Sequence, residues 1–190
     1  MKTYLVTGAA GFIGANFLKY ILKKYEDIKV IVVDSLTYAG NLGTIKEELK
    51  DNRVKFEKVD IRNRKEIERI FSENKIDYVV NFAAESHVDR SIENPQIFLE
   101  TNILGTQNLL DHAKKSWTVS KDKNGYPVYR EGIKYLQVST DEVYGSLSKD
   151  YDEPIKLVID DEDVKKVVKN RKNLKTYGDK FFTEESPVDP

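Results

Sequence analysis

The most constraining feature of the sequence is a triplet of glycines between a short apolar strand and a helix. Gly8, Gly11 and Gly14 follow the apolar run Tyr4–Val6, and apolar residues at helical spacing continue to about Tyr25. Glycines at such a turn let the chain reverse tightly, bring backbone N–H groups to a pyrophosphate, and seat the helix close to a sheet. The helix N-terminus adds partial positive charge, so the pattern predicts a phosphate-binding turn.

Short apolar strands and helical stretches alternate along most of the chain. Strands are predicted at Val30–Val33, Val54–Val59, Tyr78–Val80 and Tyr135–Val138, and helices at Phe12–Tyr25, Arg64–Phe71 and Asn94–Lys115. This order indicates βαβ units with right-handed crossovers, and hence an α/β fold with a doubly wound parallel sheet of the Rossmann type. Ligands of such sheets bind outside the carboxyl ends of the strands.

One domain is predicted to cover residues 1–190, with an insertion predicted at residues 151–180, where the alternation is interrupted. The insertion is dense in Asp and Lys, which favours a solvated segment without a catalytic role. A lid over the substrate is the alternative.

Asp34 stands at the end of the second predicted strand, 20 residues beyond Gly14 (34 − 14). This is the spacing at which an acid meets the adenosine ribose of a dinucleotide. A carboxylate accepts hydrogen bonds from the ribose hydroxyls and repels a 2′-phosphate, and residues 35–41 contain no Lys or Arg. The sequence therefore predicts NAD rather than NADP as cofactor.

Composition excludes several other classes of function. The chain has no Cys and only two His, which argues against thiolate or His-based metal sites, and we predict no metal. The net charge of −1 argues against nucleic acid as a partner. No apolar run approaches the ~18 residues of a membrane span, and the apolar N-terminus lacks a signal-peptide cleavage site. These features predict a cytoplasmic protein without membrane contacts.

The spacing Gly-x-x-Gly-x-x-Gly resembles that of the extended short-chain dehydrogenase/reductase family. Several separated motifs then resemble one of its branches, the dTDP-glucose 4,6-dehydratases. These motifs are Asp34–Asn41, Ala84–Ile92, Thr101–Thr106 and Ser139–Gly145, and the resemblance covers most of residues 1–145. Motifs in the right order are far more specific than a glycine turn alone.

The resemblance implies a set of cofactor-binding residues. Asp60 and Ile61 are implied to contact adenine, and the segment Phe82–Ser86 to lie along the dinucleotide, where the small Ala83 and Ala84 permit close approach. The residues implied to bind NAD are Gly8, Gly11, Phe12, Ile13, Gly14, Asp34, Ser35, Leu36, Thr37, Asp60, Ile61, Phe82, Ala83, Ala84, Ser86 and Thr101.

The resemblance also implies the chemistry. Hydride passes from C4 of dTDP-glucose to NAD⁺, water is eliminated, and hydride returns to C6, giving dTDP-4-keto-6-deoxyglucose. Glu142 is implied to be the general base, Asp141 the general acid, and Thr140 the hydrogen-bonding partner of the C4 hydroxyl. Ser86, His87 and Thr140 are implied to bind substrate. For His87 the alternative is that, with Arg90, it ties a loop to the sheet.

Members of the family carry a Tyr-x-x-x-Lys pair on a helix after the fifth strand. Here that spacing occurs only at Tyr20/Lys24 and Tyr25/Lys29, before the second strand, where it is predicted to be a coincidence. The expectation is therefore an N-terminal fragment, inactive by itself, that ends before this helix and the sugar-nucleotide-binding domain. The full-length enzyme is implied to be a homodimer through the helix at Asn94–Lys115. A sugar-nucleotide 4-epimerase and a non-catalytic NAD-binding module remain as alternatives.

Overall fold

The computed structural model describes residues 1–144 and 188. The chain forms two units, Met1–Val138 and Ser139–Pro190. The first unit contains the whole main sheet. Of the second, the structure describes a short 3₁₀ helix at Asp141–Tyr144 and the exposed Val188. The predicted insertion at residues 151–180 lies outside the described residues.

Five parallel strands form the main sheet, in the spatial order β3-β2-β1-β4-β7. They are β1 (Lys2–Thr7), β2 (Ile28–Asp34), β3 (Val54–Lys58), β4 (Tyr78–Asn81) and β7 (Lys134–Gln137). The order runs outward from β1 in both directions, so the direction of winding reverses between β1 and β4. The predicted doubly wound sheet is confirmed, and a crevice is expected at this reversal, outside the carboxyl ends of the strands.

Helices cover both faces of the sheet. They are α1 (Phe12–Lys24), α2 (Arg64–Glu73), α3 (Val88–Glu93), α4 (Pro95–Phe98) and α5 (Thr106–Trp117), with short 3₁₀ turns at Leu42–Ile45 and Glu48–Lys50. The start of α2 is fixed by a side-chain cap: the side chain of Asn63 accepts a hydrogen bond from the N–H of Glu66, which satisfies one of the unpaired donors of the first turn.

The core consists of two apolar clusters, one on each face of the sheet. Leu5 and Ile31 face α2 and α5, where they pack in one cluster with Ile67 and Leu109. Their neighbours in sequence, Val6, Val30 and Val32, point to the opposite face of the sheet and belong to the second cluster. The second cluster joins the sheet to the buried face of α1, formed by Ala15, Leu18 and Ile21. A strand buried on both faces reads as a continuous apolar run, which is why β2 was recognisable.

The predicted long helix at Asn94–Lys115 is interrupted. Between α4 and α5 the residues Leu99–Gly105 form a π-helix, a rare conformation that occurs frequently at functional sites. A Cβ added to Gly105 would lie 2.7 Å from the side chain of Ile61. The absence of a side chain at Gly105 therefore lets this helix lie close to the segment that follows β3.

Two further findings concern α5 and the stretch that follows it. The polar stretch at 118–132 contains an antiparallel hairpin, β5 (Thr118–Lys121) and β6 (Pro127–Tyr129). The charged neighbours of His112 in sequence predict a surface position, but this residue is only 5% exposed, and its Nδ1 hydrogen-bonds the carbonyl of Asn108 at 2.8 Å. The surface prediction was wrong because α5 packs against α2 here, with the rings of His112 and Phe71 6.1 Å apart. Across the described part of the chain, we find no helix with the length and apolar character of a membrane span.

Candidate functional site

The turn between β1 and α1 lies directly against the end of β4. Gly8 has φ +66°, in the left-handed region that glycine adopts readily. A Cβ on Gly8 would lie 2.7 Å from the backbone nitrogen of Ala83, and a Cβ on Gly14 would collide with the carbonyl of Gly8. Two of the three predicted glycines are therefore required by close backbone contacts, which form the floor of a cleft.

The first turn of α1 offers its backbone, not its side chains, to the cleft. Gly11 is the N-cap, no side chain caps this end of the helix, and the first turn carries no acidic residue. Gly11 lines the cleft, whereas the side chains of Phe12 and Ile13 are 85% and 61% exposed and lie outside its lining. N–H groups left unpaired at a helix N-terminus bind anions, so any contribution of Phe12 and Ile13 here comes through their backbone.

Asp34 is 8% exposed and is held by two backbone donors. Its Oδ2 accepts a hydrogen bond from Ala10 N–H at 2.9 Å, and its Oδ1 accepts one from Leu36 N–H at 2.8 Å. Each carboxylate oxygen accepts more than one hydrogen bond. Asp34 lines the cleft, so its orientation is fixed while acceptor capacity remains for a ligand.

The loop after β2 folds back over Asp34. Leu36 has φ +55°, an uncommon conformation for a non-glycine residue, and its side chain packs into the core beside α1 instead of lining the cleft. Gly40 follows, and a Cβ there would lie 2.7 Å from Asp34 Oδ1. Ser35, Thr37, Ala39 and Gly40 line the cleft. Sequence reasoning missed Gly40, although its place in the Asp34–Asn41 motif was a signal.

The end of β3 supplies an ion-pair network. Arg62 Nη2 lies 2.7 Å from Asp60 Oδ2, and Arg62 Nη1 lies 2.8 Å from Glu100 Oε2. Burial of Asp60 favours a raised pKa, but the hydrogen bonds and charge of Arg62 outweigh burial and hold the pKa of Asp60 below its ordinary value. Asp60, Ile61 and Arg62 all line the cleft. The side chain of Arg62 was not among the predicted residues.

The end of β4 forms the opposite wall. Phe82, Ala83, Ala84 and Glu85 line the cleft, and Thr101 joins them from the π-helix. Asn102, its neighbour, clamps this wall: its side chain accepts a hydrogen bond from Glu85 N–H and donates one to Glu85 C=O, both at 2.8 Å. The close floor and the clamp together fix the backbone of this wall.

The predicted substrate residues at this end stand apart from the cleft lining. Ser86 and His87 are exposed, and neither lines the cleft. The ring of His87 meets Tyr38 edge-on, with centroids 6.3 Å apart, and the guanidinium of Arg90 lies 4.1 Å from the centre of the Tyr38 ring. His87 and Arg90 therefore contact the loop after β2.

A buried polar network joins three neighbouring strands just below the cleft. Thr7 donates a short hydrogen bond from its hydroxyl to Asn81 Oδ1, and Asn81 Nδ2 donates to Gln137 Oε1 at 2.8 Å. Thr7 and Asn81 are fully buried. Buried polar groups are costly unless paired, so this chain of bonds holds the carboxyl ends of β1, β4 and β7 in one arrangement.

The predicted catalytic residues Thr140, Asp141 and Glu142 belong to the second unit. Thr140 is exposed, and Asp141 and Glu142 open the 3₁₀ helix that ends at Tyr144. The Tyr20/Lys24 pair lies on α1 as predicted, with Lys24 Nζ 2.5 Å from the Tyr20 hydroxyl, and neither residue lines the cleft.

Most of the predicted cofactor residues thus line one cleft. They are Gly8, Gly11, Asp34, Ser35, Thr37, Asp60, Ile61, Phe82, Ala83, Ala84 and Thr101. Five predicted residues do not line it: Phe12, Ile13, Gly14, Leu36 and Ser86. Glu85, which belongs to the segment Phe82–Ser86 predicted to lie along the dinucleotide, lines the cleft as well. The residues that complete the lining were not predicted: Val33, Ala39, Gly40, Val59, Arg62 and Ile97.

Comparison with known proteins identifies the family to which this arrangement belongs. The sequence profile of the GDP-mannose 4,6 dehydratase family matches residues 5–156. The chain belongs to this family. In the dTDP-glucose 4,6-dehydratase of Salmonella typhimurium, 46% of residues are identical over 144 aligned residues, which are 75% of this chain and 38% of that protein. The chain thus spans about two fifths of the length of its curated dehydratase relatives.

Solved structures of dehydratases in this family share the fold. The dTDP-glucose 4,6-dehydratase of Bacillus anthracis, crystallised in complex with NAD, matches with a TM-score of 0.67 and 36% identity over 100% of this chain and 44% of that one. The Streptomyces venezuelae enzyme DesIV, with NAD and TDP bound, matches with a TM-score of 0.68 and 35% identity, and the match covers 99% of this chain and 45% of that one. Their NAD-binding Rossmann portion corresponds to the sheet described above.

Proposed function

We propose that this chain is the NAD-binding part of a dTDP-glucose 4,6-dehydratase, which converts dTDP-glucose to dTDP-4-keto-6-deoxyglucose. The observation that carries the proposal is the convergence on one cleft of the glycine turn after β1, Asp34 after β2, Asp60–Ile61 after β3 and Ala83–Ala84 after β4. These residues are distant in sequence, and the reversal of the sheet between β1 and β4 brings them together.

The cleft fits a dinucleotide in one direction. Asp34 and the Asp60–Arg62 pair form the end suited to adenosine, because they offer acceptors to ribose hydroxyls and to an adenine amino group. The glycine turn and the uncapped start of α1 suit the pyrophosphate. Ala83 and Ala84 leave space for the nicotinamide half. When bound, NAD⁺ would supply reversible hydride acceptance.

Asp34 also supports selection of NAD over NADP. The carboxylate is fixed by two backbone N–H groups, so it cannot turn away from a 2′-phosphate without breaking both hydrogen bonds. Arg62 lines the same cleft, but it is engaged by Asp60 and Glu100. Neither arrangement provides a free cation for an added phosphate.

Acid–base catalysis is assigned to the residues that follow β7 in sequence. Glu142 is proposed to remove the C5 proton after oxidation at C4, Asp141 to protonate the departing C6 hydroxyl, and Thr140 to hydrogen-bond the C4 oxygen. Two neighbouring carboxyl groups can serve as base and acid when their surroundings hold them in different protonation states. A 4-epimerase leaves the C6 hydroxyl of its sugar in place and therefore needs no acid to expel it.

The substrate is proposed to be a dTDP-sugar, in keeping with the names of the relatives and the TDP in the Streptomyces structure. Ser86 and His87 are proposed substrate contacts. Both are exposed and follow directly in sequence on Ala84 and Glu85, which line the cleft.

A chimera tests this proposal. Residues 1–144 of this chain would replace the matching segment of the Salmonella enzyme, and the product formed from dTDP-glucose or UDP-glucose would be followed by mass spectrometry without added reductant. Loss of water from dTDP-glucose supports the dehydratase. Epimerised sugar without loss of water indicates the epimerase instead, and NAD binding without any turnover by the chimera favours the non-catalytic module.

We further propose that the whole protein is a homodimer through the helix that runs from α4 to α5. Leu99, Ile103, Leu104 and Leu110 are 46–58% exposed along this helix. An exposed apolar surface of this kind is typical of an interface. Sedimentation of the chimera and of its Ile103→Lys variant tests this: the variant is expected to be monomeric, and an unchanged dimer would place the interface elsewhere.

A further inference from the structure

A cation–π contact joins the two loops that flank the glycine turn. The guanidinium carbon of Arg90 lies 4.1 Å from the centre of the Tyr38 ring, well within the ~6 Å range of such contacts. Tyr38 belongs to the loop after β2, and Arg90 belongs to α3, which follows the loop after β4. Because β2 and β4 lie on either side of β1, this contact bridges the turn that begins at Gly8.

The contact stands at the border of the cleft. Thr37 and Ala39, the sequence neighbours of Tyr38, both line the cleft, and so does Glu85, whose Oε2 lies 4.0 Å from Arg90 Nε. Tyr38 itself is 48% exposed. The aromatic ring and the guanidinium therefore connect the outer edges of two walls of the cleft instead of filling it.

The loop after β2 and the loop after β4 each contain a feature that a contact from outside the loop would stabilise. The loop after β2 contains Leu36 at φ +55°, a left-handed conformation that is unfavourable for a non-glycine residue. Such a conformation persists only where the surroundings hold it. The loop after β4 presents Glu85, which is 6% exposed and whose Oε2 has no hydrogen-bond partner within the described residues.

Glu85 gives Arg90 a second partner. The 4.0 Å between Arg90 Nε and Glu85 Oε2 is ion-pair distance but exceeds hydrogen-bonding distance, so Arg90 would have to move closer to Glu85 to hydrogen-bond the unpaired carboxylate oxygen. Arg90 thus has a partner in the joined state, Tyr38, and a partner in the separated state, Glu85. An arginine with a partner in both states can move between them without being left unpaired.

We propose that Arg90 and Tyr38 form a clasp over the dinucleotide, closed by their stacking and opened by transfer of Arg90 to Glu85. The inference rests on the proposed NAD site and adds control of cofactor exchange to it. A cofactor that is reduced and reoxidised within one catalytic cycle has to remain bound throughout, and a clasp across the pyrophosphate turn slows its escape without touching the reacting atoms.

Exchange of NAD tests the clasp. The unmodified chain and the variants Arg90→Ala, Tyr38→Ala and Tyr38→Phe would be loaded with radiolabelled NAD and chased with unlabelled NAD, and association would be measured separately. Loss of the stack is expected to accelerate dissociation about twofold to thirtyfold, the range of cation–π energies. Association should accelerate too, because entry also requires the open state. Tyr38→Phe keeps the ring and should match the unmodified chain.

The double variant separates a clasp from two independent effects. Arg90→Ala combined with Tyr38→Ala should dissociate no faster than either single variant, since both remove the same contact. Unchanged dissociation in Arg90→Ala contradicts the clasp. So does faster dissociation with unchanged association, because that pattern indicates loss of a contact with bound NAD. If the unmodified chain fails to bind NAD, the proposed function itself is contradicted; normal binding with unaltered exchange contradicts the clasp alone.

Discussion

Gly8 and Ala83 approach so closely that a Cβ on Gly8 would lie 2.7 Å from the backbone nitrogen of Ala83. This contact joins the turn after β1 to the end of β4 at the reversal of the sheet. It brings the predicted pyrophosphate turn and the predicted nicotinamide wall together with no side chain between them. A dinucleotide that binds across a sheet reversal requires such a close approach of the two segments.

Gly8→Ala is expected to destabilise the chain and to abolish NAD binding, because it combines an unfavourable φ with a collision against backbone. Gly125→Ala is the matched control: Gly125 has φ +84° but nothing within 4 Å of its Cβ position. The control should lose only the conformational term, about 1 kcal/mol, in urea unfolding, and should bind NAD normally. Equal losses in both variants would show that the contact with Ala83 contributes nothing.

Asp34→Ala is expected to reduce the preference for NAD over NADP. The substitution removes the charge that repels a 2′-phosphate and the acceptors that hold the ribose, so NAD affinity should fall while NADP affinity changes little or rises. Titration with both cofactors measures the ratio of dissociation constants. Asp27→Ala, which removes an exposed carboxylate that pairs with the N-terminus, should leave the ratio unchanged. A preference for NAD that persists in Asp34→Ala assigns selectivity to other residues.

The Asp60–Arg62 pair is expected to make stability depend on pH in the acid range. The pKa of Asp60 is lowered in the folded chain, so the pair stabilises the fold fully above the ordinary Asp pKa of about 3.9, and this contribution is lost as the pH falls through the lowered value. The stability difference between the unmodified chain and Arg62→Gln should therefore shrink as the pH falls from about 6 to about 3.

Urea unfolding across that pH range provides the measurement. Arg64→Gln is the control for the pH experiment, because Arg64 is largely exposed and its ion pair with Asp111 spans 3.4 Å. It should differ little from the unmodified chain at any pH. A difference for Arg62→Gln that is independent of pH would mean that Arg62 acts by packing and not through the charge of Asp60.

Asn102→Ala is expected to weaken NAD binding more than it weakens the fold. It removes both hydrogen bonds that fix the backbone of Glu85, at a net cost of about 0.5–1.5 kcal/mol each, and so loosens one wall of the cleft. Asn102→Asp keeps the acceptor for Glu85 N–H but loses the donor to Glu85 C=O. Its NAD affinity should therefore lie between that of the unmodified chain and that of Asn102→Ala. NAD titration and urea unfolding distinguish the effects; normal affinity in Asn102→Ala would show that the wall holds without the clamp.

Glu142→Gln in the chimera with the Salmonella enzyme is expected to lower turnover of dTDP-glucose about 10²–10⁴-fold, the usual contribution of a positioned general base. NAD binding should be unaffected, because the substitution preserves shape and removes only basicity. Steady-state rates and NAD titration on the same preparations provide the check. Near-normal turnover would remove Glu142 from the mechanism.

How much could be predicted from the sequence is clearest at the loop after β2. The position of Asp34, 20 residues beyond Gly14, follows from a local pattern along the chain, and the residue lines the cleft as predicted. Leu36, its neighbour but one, was predicted on the same basis and instead packs into the core, because its φ of +55° turns the side chain inward. The motif identified the loop, but each side-chain direction depended on a backbone conformation that spacing does not encode.

The same distinction holds for the whole molecule. The sequence by itself determined the alternation of elements, the two-sided core and the glycine turn, since hydrophobic periodicity and glycine positions are local properties of the chain. Only the tertiary structure decided that Arg62 would be held between Asp60 and Glu100, that His112 would be buried, and that Tyr38 would stack on Arg90. The contacts of Arg62 with Glu100 and of Tyr38 with Arg90 join segments far apart in sequence, and their existence depends on which strands become neighbours and how closely the loops at their ends approach.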